Sequence, residues 1–226
     1  MARQAGRGGG PRGQRVGLVR AAGRSASSQR WLLRQLNDPY VARARAEGWR
    51  SRAAFKLIEL DERFHLIRPG ARILDLGAAP GGWTQVALQR AGARGRVVAV
   101  DLLPMAPLPG ATVIAGDMQD PAVEQAAIEA LGGAADLVLS DMAPNTTGHA
   151  ATDHLRIMAL AELALDCAVR VLVPGGGFVA KLFQGGAEAS LLARLRRHFA
   201  SVRHAKPPAS RKDSAELYVV ATGFRP

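Results

Sequence analysis

The sequence predicts an α/β domain built on a mostly parallel, seven-stranded sheet that ends in an antiparallel strand. Three observations lead there. Short runs of β-branched and aliphatic residues recur at 71–76, 95–101, 111–117, 135–141 and 176–183. Helical patterns lie between several of them, as in a parallel sheet covered by helices on both faces. The last two runs, "SVRHAKP" and "ELYVVATG", are joined by a short loop with no helix, so they are expected to be antiparallel.

The elements follow in order. The first 30 residues hold seven arginines and no acid, and include "GRGGGPRG". Such a stretch cannot pack a core, so residues 1–29 are expected to be a disordered basic tail. An Arg- and Ser-rich start also suits a mitochondrial transit peptide, but the glycine run breaks the amphipathic helix such a peptide needs. A tail that contacts RNA is the better expectation. The segment "SQRWLLRQLNDPYVARARAEGWRSRAAFKLIEL" has helical spacing, broken near Pro39 and Gly48, and reads as two or three basic helices. "ARILDL" is the first strand, followed by glycines and a helix from about Thr84. "GRVVAVD" and "ATVIAGD" are the next two. A helix from Pro121 to Leu131 precedes "ADLVLSD", and one from Thr152 to Leu172 precedes "GGFVAKLF". A helix from Glu188 to Phe199 leads into the terminal pair.

Composition narrows the function. The chain has 226 residues, is 48% hydrophobic and holds no apolar run long enough to cross a bilayer. The single cysteine, Cys167, rules out a disulfide framework and a cysteine-based zinc site. A net charge of +11 points to a polyanionic partner, most simply nucleic acid. A GC-rich genome would explain arginine over lysine, but not the excess of base over acid. Of the 30 Lys+Arg, only Lys56, Lys181, Lys206 and Lys212 are lysines. Arginine thus supplies the bulk charge. Lysine differs because its surroundings can bring it to neutrality, which makes Lys56 and Lys181 candidates for chemistry. The plainer alternative for Lys181 is an ammonium group snorkelling at a strand end.

In open α/β sheets the ligand lies beyond the carboxyl ends of the strands. Asp101, Asp117 and Asp141 each end a run there, and Lys181 lies near the end of another. Glu216 begins the last strand, so an antiparallel direction brings it to the same rim. Any one of the five could be a solvated strand-end charge; their convergence argues for a site. The loop "ILDLGAAPGGW" departs from the G-x-G-x-x-G dinucleotide fingerprint, because Ala79 stands where pyrophosphate needs a glycine. A nucleoside ligand without phosphate fits better, and S-adenosylmethionine is one. Asp101 would accept from ribose hydroxyls and Asp117 from the adenine amino group. The rivals are a nicotinamide-dependent oxidoreductase, which Ala79 disfavours, and a non-catalytic RNA-binding assembly factor.

With a methyl donor, the acceptor is the next question. Pyrimidine C5 methylation needs a cysteine nucleophile, and Cys167 sits in a helical pattern. Methylation of base amino groups commonly uses an acid, two prolines and an aromatic, whereas this chain has "DMAPN". Oxygen remains. A ribose hydroxyl is a poor nucleophile that must lose its proton or be aimed in line with the departing sulfur, and a lysine can do either.

The stretches "RSRAAFKL", "DLGAAPGGW", "DLLPM", "SDMAPN", "PGGGFVAKLFQG" and "SRKDSAELYVVATG" together resemble the FtsJ/RrmJ-type 2′-O-ribose methyltransferases of large-subunit ribosomal RNA (the RlmE family). The resemblance covers nearly the whole chain after residue 23. It implies a Rossmann-like S-adenosylmethionine-dependent methyltransferase domain over residues 30–226. It implies a Lys-Asp-Lys-Glu tetrad at Lys56, Asp141, Lys181 and Glu216, and cofactor contacts at Gly81, Trp83, Asp101, Asp117 and Asp141. The implied substrate is a uridine in the A-loop of 23S ribosomal RNA within the large subunit. The expected enzyme is a cytoplasmic monomer that uses no metal and touches no membrane.

Overall fold

The strands fall on the apolar runs: β1 (Arg72–Leu76), β2 (Arg96–Asp101), β3 (Ala111–Ala115), β4 (Ala135–Ser140), β5 (Leu172–Phe183), β6 (Phe199–Ala205) and β7 (Glu216–Phe224). They form one sheet in the order β3-β2-β1-β4-β5-β7-β6. The structure is a computed structural model that describes Gln29, Leu33 and residues 36–144, 147–185, 188–211 and 213–226. The expected basic tail, Lys212 and Asn145 of "DMAPN" lie outside the described residues, Gln29 excepted. β1 to β5 run parallel, and β7 is antiparallel to both β5 and β6, as expected. β5 starts earlier than the glycines of its motif suggest. Leu172 already pairs with Ala135, and the register then shifts before Gly177 pairs with Leu137.

Six helices are described: α1 (Pro39–Ala46), α2 (Ala53–Phe64), α3 (Gly82–Ala91), α4 (Pro121–Leu131), α5 (Ala150–Val171) and α6 (Ala189–His198). Local chemistry sets several of their ends. Asp38 and Asp120 cap α1 and α4 by accepting the N–H of Tyr40 and Ala122, each with a proline in the first turn. Gly132 ends α4 in the left-handed region, at φ 68°.

Strand alternation distributes the core over two faces. Leu74, Leu76, Val138, Ala180 and Leu182 join residues of α4, α5 and α6 in one cluster. Ile73, Leu137, Leu139, Val179, Tyr218 and Val220 join α2 and α3 in the other. This parity decides where the chemistry lies. Lys181 follows Val179 by two positions and pairs in register with Tyr218. Glu216 precedes Tyr218 by two, and Asp141 follows Leu139 by two. All four therefore belong to the face that α2 covers, at the carboxyl edge of the parallel strands. Cys167 belongs to the opposite core. Among the described residues, no helix is long and apolar enough to cross a membrane.

Candidate active site

Lys56, on the buried side of α2, faces the rim where β4, β5 and β7 meet. Its Nζ donates to Glu216 Oε2 at 2.9 Å and to the Tyr218 hydroxyl oxygen at 3.1 Å, and lies 3.9 Å from Asp141 Oδ1. Lys181 Nζ donates to the same Asp141 Oδ1 and to the Asp141 backbone carbonyl, both at 2.8 Å. The Tyr218 hydroxyl donates to Asp141 Oδ1 at 2.6 Å. The structure thus brings together the four residues of the expected tetrad. Both lysines are only 8% exposed, so two ammonium groups share two carboxylates in a nearly dry pocket. For Asp141, burial alone would push the carboxyl up. Lys181 and Lys56, with the hydrogen bonds from Lys181 and Tyr218, outweigh it and hold the group below its ordinary value. Burial first, then Asp141 and Glu216, push the Tyr218 phenol far up, so it stays a neutral donor.

Asp141 also lines a cavity of about 430 Å³ over the ends of β1, β2 and β3. Asp101 and Asp117 lie on its wall with Val100, Met118 and Met142. Among the described residues, neither lysine nor arginine lines it. The volume suits a nucleoside-sized ligand. Asp141 is already paired with Lys181, but Asp101 and Asp117 have no lysine or arginine on the wall beside them, which suits a positively charged ligand better than a pyrophosphate. These acceptors fit S-adenosylmethionine, whose sulfonium is cationic, better than a dinucleotide with its anionic pyrophosphate. Asp101 also holds the backbone around the cavity. Its Oδ2 accepts the Ala79 N–H and its Oδ1 the Leu103 N–H, which ties together the two loops that flank the cavity. Asp117 Oδ1 accepts from the Gln119 N–H.

Gly81 and Trp83 are placed differently. Trp83 is 2% exposed, donates its indole N–H to the Ala53 carbonyl and packs on Tyr218 with ring centroids 5.6 Å apart. Neither residue lines the cavity; Gly81 and Gly82 form the entry to α3. Gly81 has φ 107°, and a Cβ there would stand 3.0 Å from Arg50 and from Met105 Sδ. Gly77, at φ 70°, allows Met142 to approach, since a Cβ would come within 2.5 Å of its side chain.

Sequence reasoning missed three residues. Tyr218 was hidden as one aromatic in a strand; its signal is the i, i+2 spacing from Glu216, which puts both on one face. Ser210, 4% exposed, donates to Glu216 Oε1 at 2.7 Å and so fixes the carboxylate that holds Lys56. Asp75 sits within β1, fully buried, where it accepts from the Thr84 hydroxyl at 2.7 Å while its Oδ1 has no partner. Burial raises its carboxyl to about 7 against Thr84, helped by Asp141 and Asp101. The folded chain keeps this proton after the unfolded chain has lost it at 3.8. The stabilisation is complete below the unfolded value and is lost as pH climbs to about 7, by roughly 4 kcal/mol. Asp75→Asn is expected to keep the Thr84 bond and remove this dependence. Urea unfolding at pH 4.5 and pH 8 should show the variant gaining on the native protein at the higher pH; equal differences at both would refute it.

Cys167 is inert. Burial, with Glu124 nearby, pushes its thiol up to about 12, and it lies on the face away from Lys181. Among the described residues, no group of three or more His, Cys, Asp and Glu is arranged to hold a metal ion.

The chain is similar to known proteins over most of its length. A family model described as FtsJ-like methyltransferase matches residues 49–224. The ribosomal RNA large subunit methyltransferase E of Granulibacter bethesdensis is 66% identical over 217 residues, covering 96% of this chain and 94% of the relative. The protein of that name from Acidiphilium cryptum is 68% identical over 211 residues, with 93% of each chain covered. A solved ribosomal RNA methyltransferase from Plasmodium falciparum has a TM-score of 0.70 at 30% identity, covering 78% of this chain and 98% of its own.

Proposed function

The chain belongs to the FtsJ-like methyltransferase family, and on that premise we propose that it methylates the ribose 2′-hydroxyl of a uridine in the A-loop of 23S ribosomal RNA, using S-adenosylmethionine. It acts on the assembled large subunit, as a cytoplasmic monomer. The observation that carries the proposal is that Asp141 belongs both to the acid-lined cavity and to the lysine cluster. A donor in the cavity and an acceptor at Lys181 then meet at one carboxylate.

When bound, S-adenosylmethionine supplies a methyl group activated by a sulfonium. Asp101 and Asp117 hold its ribose and adenine, and Gly81 and Trp83 contribute the start of α3. Lys181 has two N–H bonds directed to Asp141, which leaves one position on its nitrogen for the substrate. To act, the resting ammonium first gives up a proton; the amine then presents a lone pair there and takes the hydroxyl proton as the oxygen reacts. Because the sulfonium would leave as a neutral sulfide, the residues around it would have no new anion to stabilise. Lys56 and Glu216 orient the ribose and keep the charges of the cluster balanced. The deciding test is transfer of tritiated methyl from S-adenosylmethionine to undermethylated large subunits, followed by mapping of the modified nucleotide. No transfer, or transfer to a base, would end the proposal.

Two further expectations follow from the same site. Asp101→Asn is expected to weaken S-adenosylhomocysteine by roughly 1.5–3 kcal/mol, the scale of one charge-assisted hydrogen bond. Unchanged affinity by calorimetry would remove Asp101 from the cofactor site. Binding to ribosomal particles is expected to fall steeply with salt, given the net charge of +11. The start of the chain and the segment from Arg194 to Lys212 are the proposed phosphate contacts. Within that segment Arg194 pairs with Asp166 and Arg211 with Asp38, whereas Arg196, Arg197 and Arg203 are exposed. Deleting residues 1–23 should reduce the salt slope only modestly. A slope untouched by salt would show that the charge serves no RNA contact.

A further inference from the structure

We propose that Arg50 is a positioning residue for the cofactor: its guanidinium straps the glycine-rich loop to the β2–β3 loop and so sets the width of the cavity between them. The inference rests on the proposed use of S-adenosylmethionine.

Arg50 lies between α1 and α2 and does not line the cavity. Its Nη1 donates to the carbonyls of Ala106 at 2.7 Å and Pro80 at 3.3 Å, and its Nη2 to the carbonyl of Pro107 at 2.7 Å. One planar cation thus binds carbonyls from both loops. The geometry requires a fork; a lysine ammonium is a single point of charge. The base of the strap is fixed as well. Arg50 N–H donates to Gln85 Oε1 at 2.7 Å, and Gln85 Nε2 donates to the Gly48 carbonyl at 3.1 Å, which pins the segment 48–50 to α3.

The β2–β3 loop needs such a tie. It holds Pro104, Pro107 and Pro109, which have no N–H to donate. Among the described residues, its other polar ties are short-range ones at its two ends: Leu103 N–H to Asp101 Oδ1, and Ala111 N–H to the Leu108 carbonyl. Leu102 and Leu103, 71% and 65% exposed, form the cavity's lip at the base of this loop. The neighbouring depression, lined by Arg50, Pro80 and Met105, shares Ala79 and Leu103 with the cavity. Gly81 completes the arrangement. Its missing side chain leaves room for the Arg50 stem and for Met105, so this glycine serves the strap.

Three measurements on full-length Arg50→Ala and Arg50→Lys test the assignment. Amide exchange in the ligand-free protein should speed roughly tenfold in the alanine variant at Leu103 and Ala111, whose N–H groups are held by Asp101 and by the Leu108 carbonyl, with partial rescue by lysine. The dissociation constant for S-adenosylhomocysteine should rise roughly tenfold or more in alanine and less in lysine, as expected when a preformed wall must be ordered on binding. Single-turnover methyl transfer at saturating cofactor should stay within about threefold of the native rate, because the lysine cluster is untouched. Unchanged exchange and affinity would overturn the inference while leaving the cofactor assignment standing. A fall in rate at saturating cofactor with no change in affinity would also overturn it, and would assign Arg50 to the transfer step. Native protein with no affinity for S-adenosylhomocysteine would overturn the cofactor assignment and the inference together.

Discussion

Lys181→Ala is expected to lose methyl transfer by about 10²–10⁴-fold or more, the usual contribution of a positioned acid–base group, while S-adenosylhomocysteine binds nearly as before. The separation follows from placement: Lys181 is bound to Asp141 but does not line the cavity. Lys181→Arg is the sharper variant. Two of the lysine's hydrogens are directed to Asp141, so the amine can offer its lone pair to the hydroxyl. Arginine keeps the charge, offers no lone pair and brings a larger planar head into a pocket where the lysine is 8% exposed. It should be nearly as damaging as alanine, and the native rate should rise with pH as the cluster gives up a proton. An active arginine variant with a flat pH profile would show instead that Lys181 works as a fixed cation. Single-turnover rates near native in the alanine variant would remove Lys181 from the mechanism.

Asp141→Asn is the second large effect, and it reaches stability as well as activity. The side chain takes hydrogen bonds from Lys181 and Tyr218 and lies 3.9 Å from Lys56. Without its charge, two buried ammonium groups are left with Glu216 alone. Breaking a buried ion pair by removing one partner costs on the order of 3 kcal/mol. Because the folded carboxyl is held below its ordinary value of 3.8, the contribution is complete above that pH and fades as pH falls through the lower folded value. Urea unfolding should therefore show the largest deficit for the variant near neutral pH and a shrinking one in acid. Transfer should fall at least as far as in Lys181→Ala, with weaker cofactor binding added, since Asp141 also lines the cavity. Equal stability of the two proteins at pH 7 would mean that the lysines adjust without this carboxylate.

The sheet was legible because each strand is a short apolar run with its own stop signal, and because the terminal pair lacks a helix. The rim acids were legible for the same reason. What covers each face was not. "ILDL" and "GRVVAVD" each carry an acid late in the strand, yet Asp101 ends β2 at the cavity while Asp75 is sealed under α3 by Thr84. The register of β1 on β2, which sets Asp75 opposite Ala99, and the packing of α3 tell them apart. Gly81 matched a motif, but its φ and its neighbours show that it makes room for an arginine 31 positions earlier. Such contacts join distant segments, and no local spacing encodes them.

The place of β7 in the sheet has a consequence for the order of synthesis. It is the last strand in the sequence, yet it lies between β5 and β6, and among the described residues β6 has no other partner strand. While the chain is being made, β6 emerges with nothing to pair with, and β5 keeps an open edge that invites contact with other chains. A nascent chain that has reached residue 215 already contains every described residue lining the cavity, and Lys56, Asp141 and Lys181 with them. It lacks Glu216 and Tyr218, which arrive with β7. Closing the sheet and completing the cluster are therefore one late event, and a translation product stopped short of it would carry the residues of the cavity without the complete cluster.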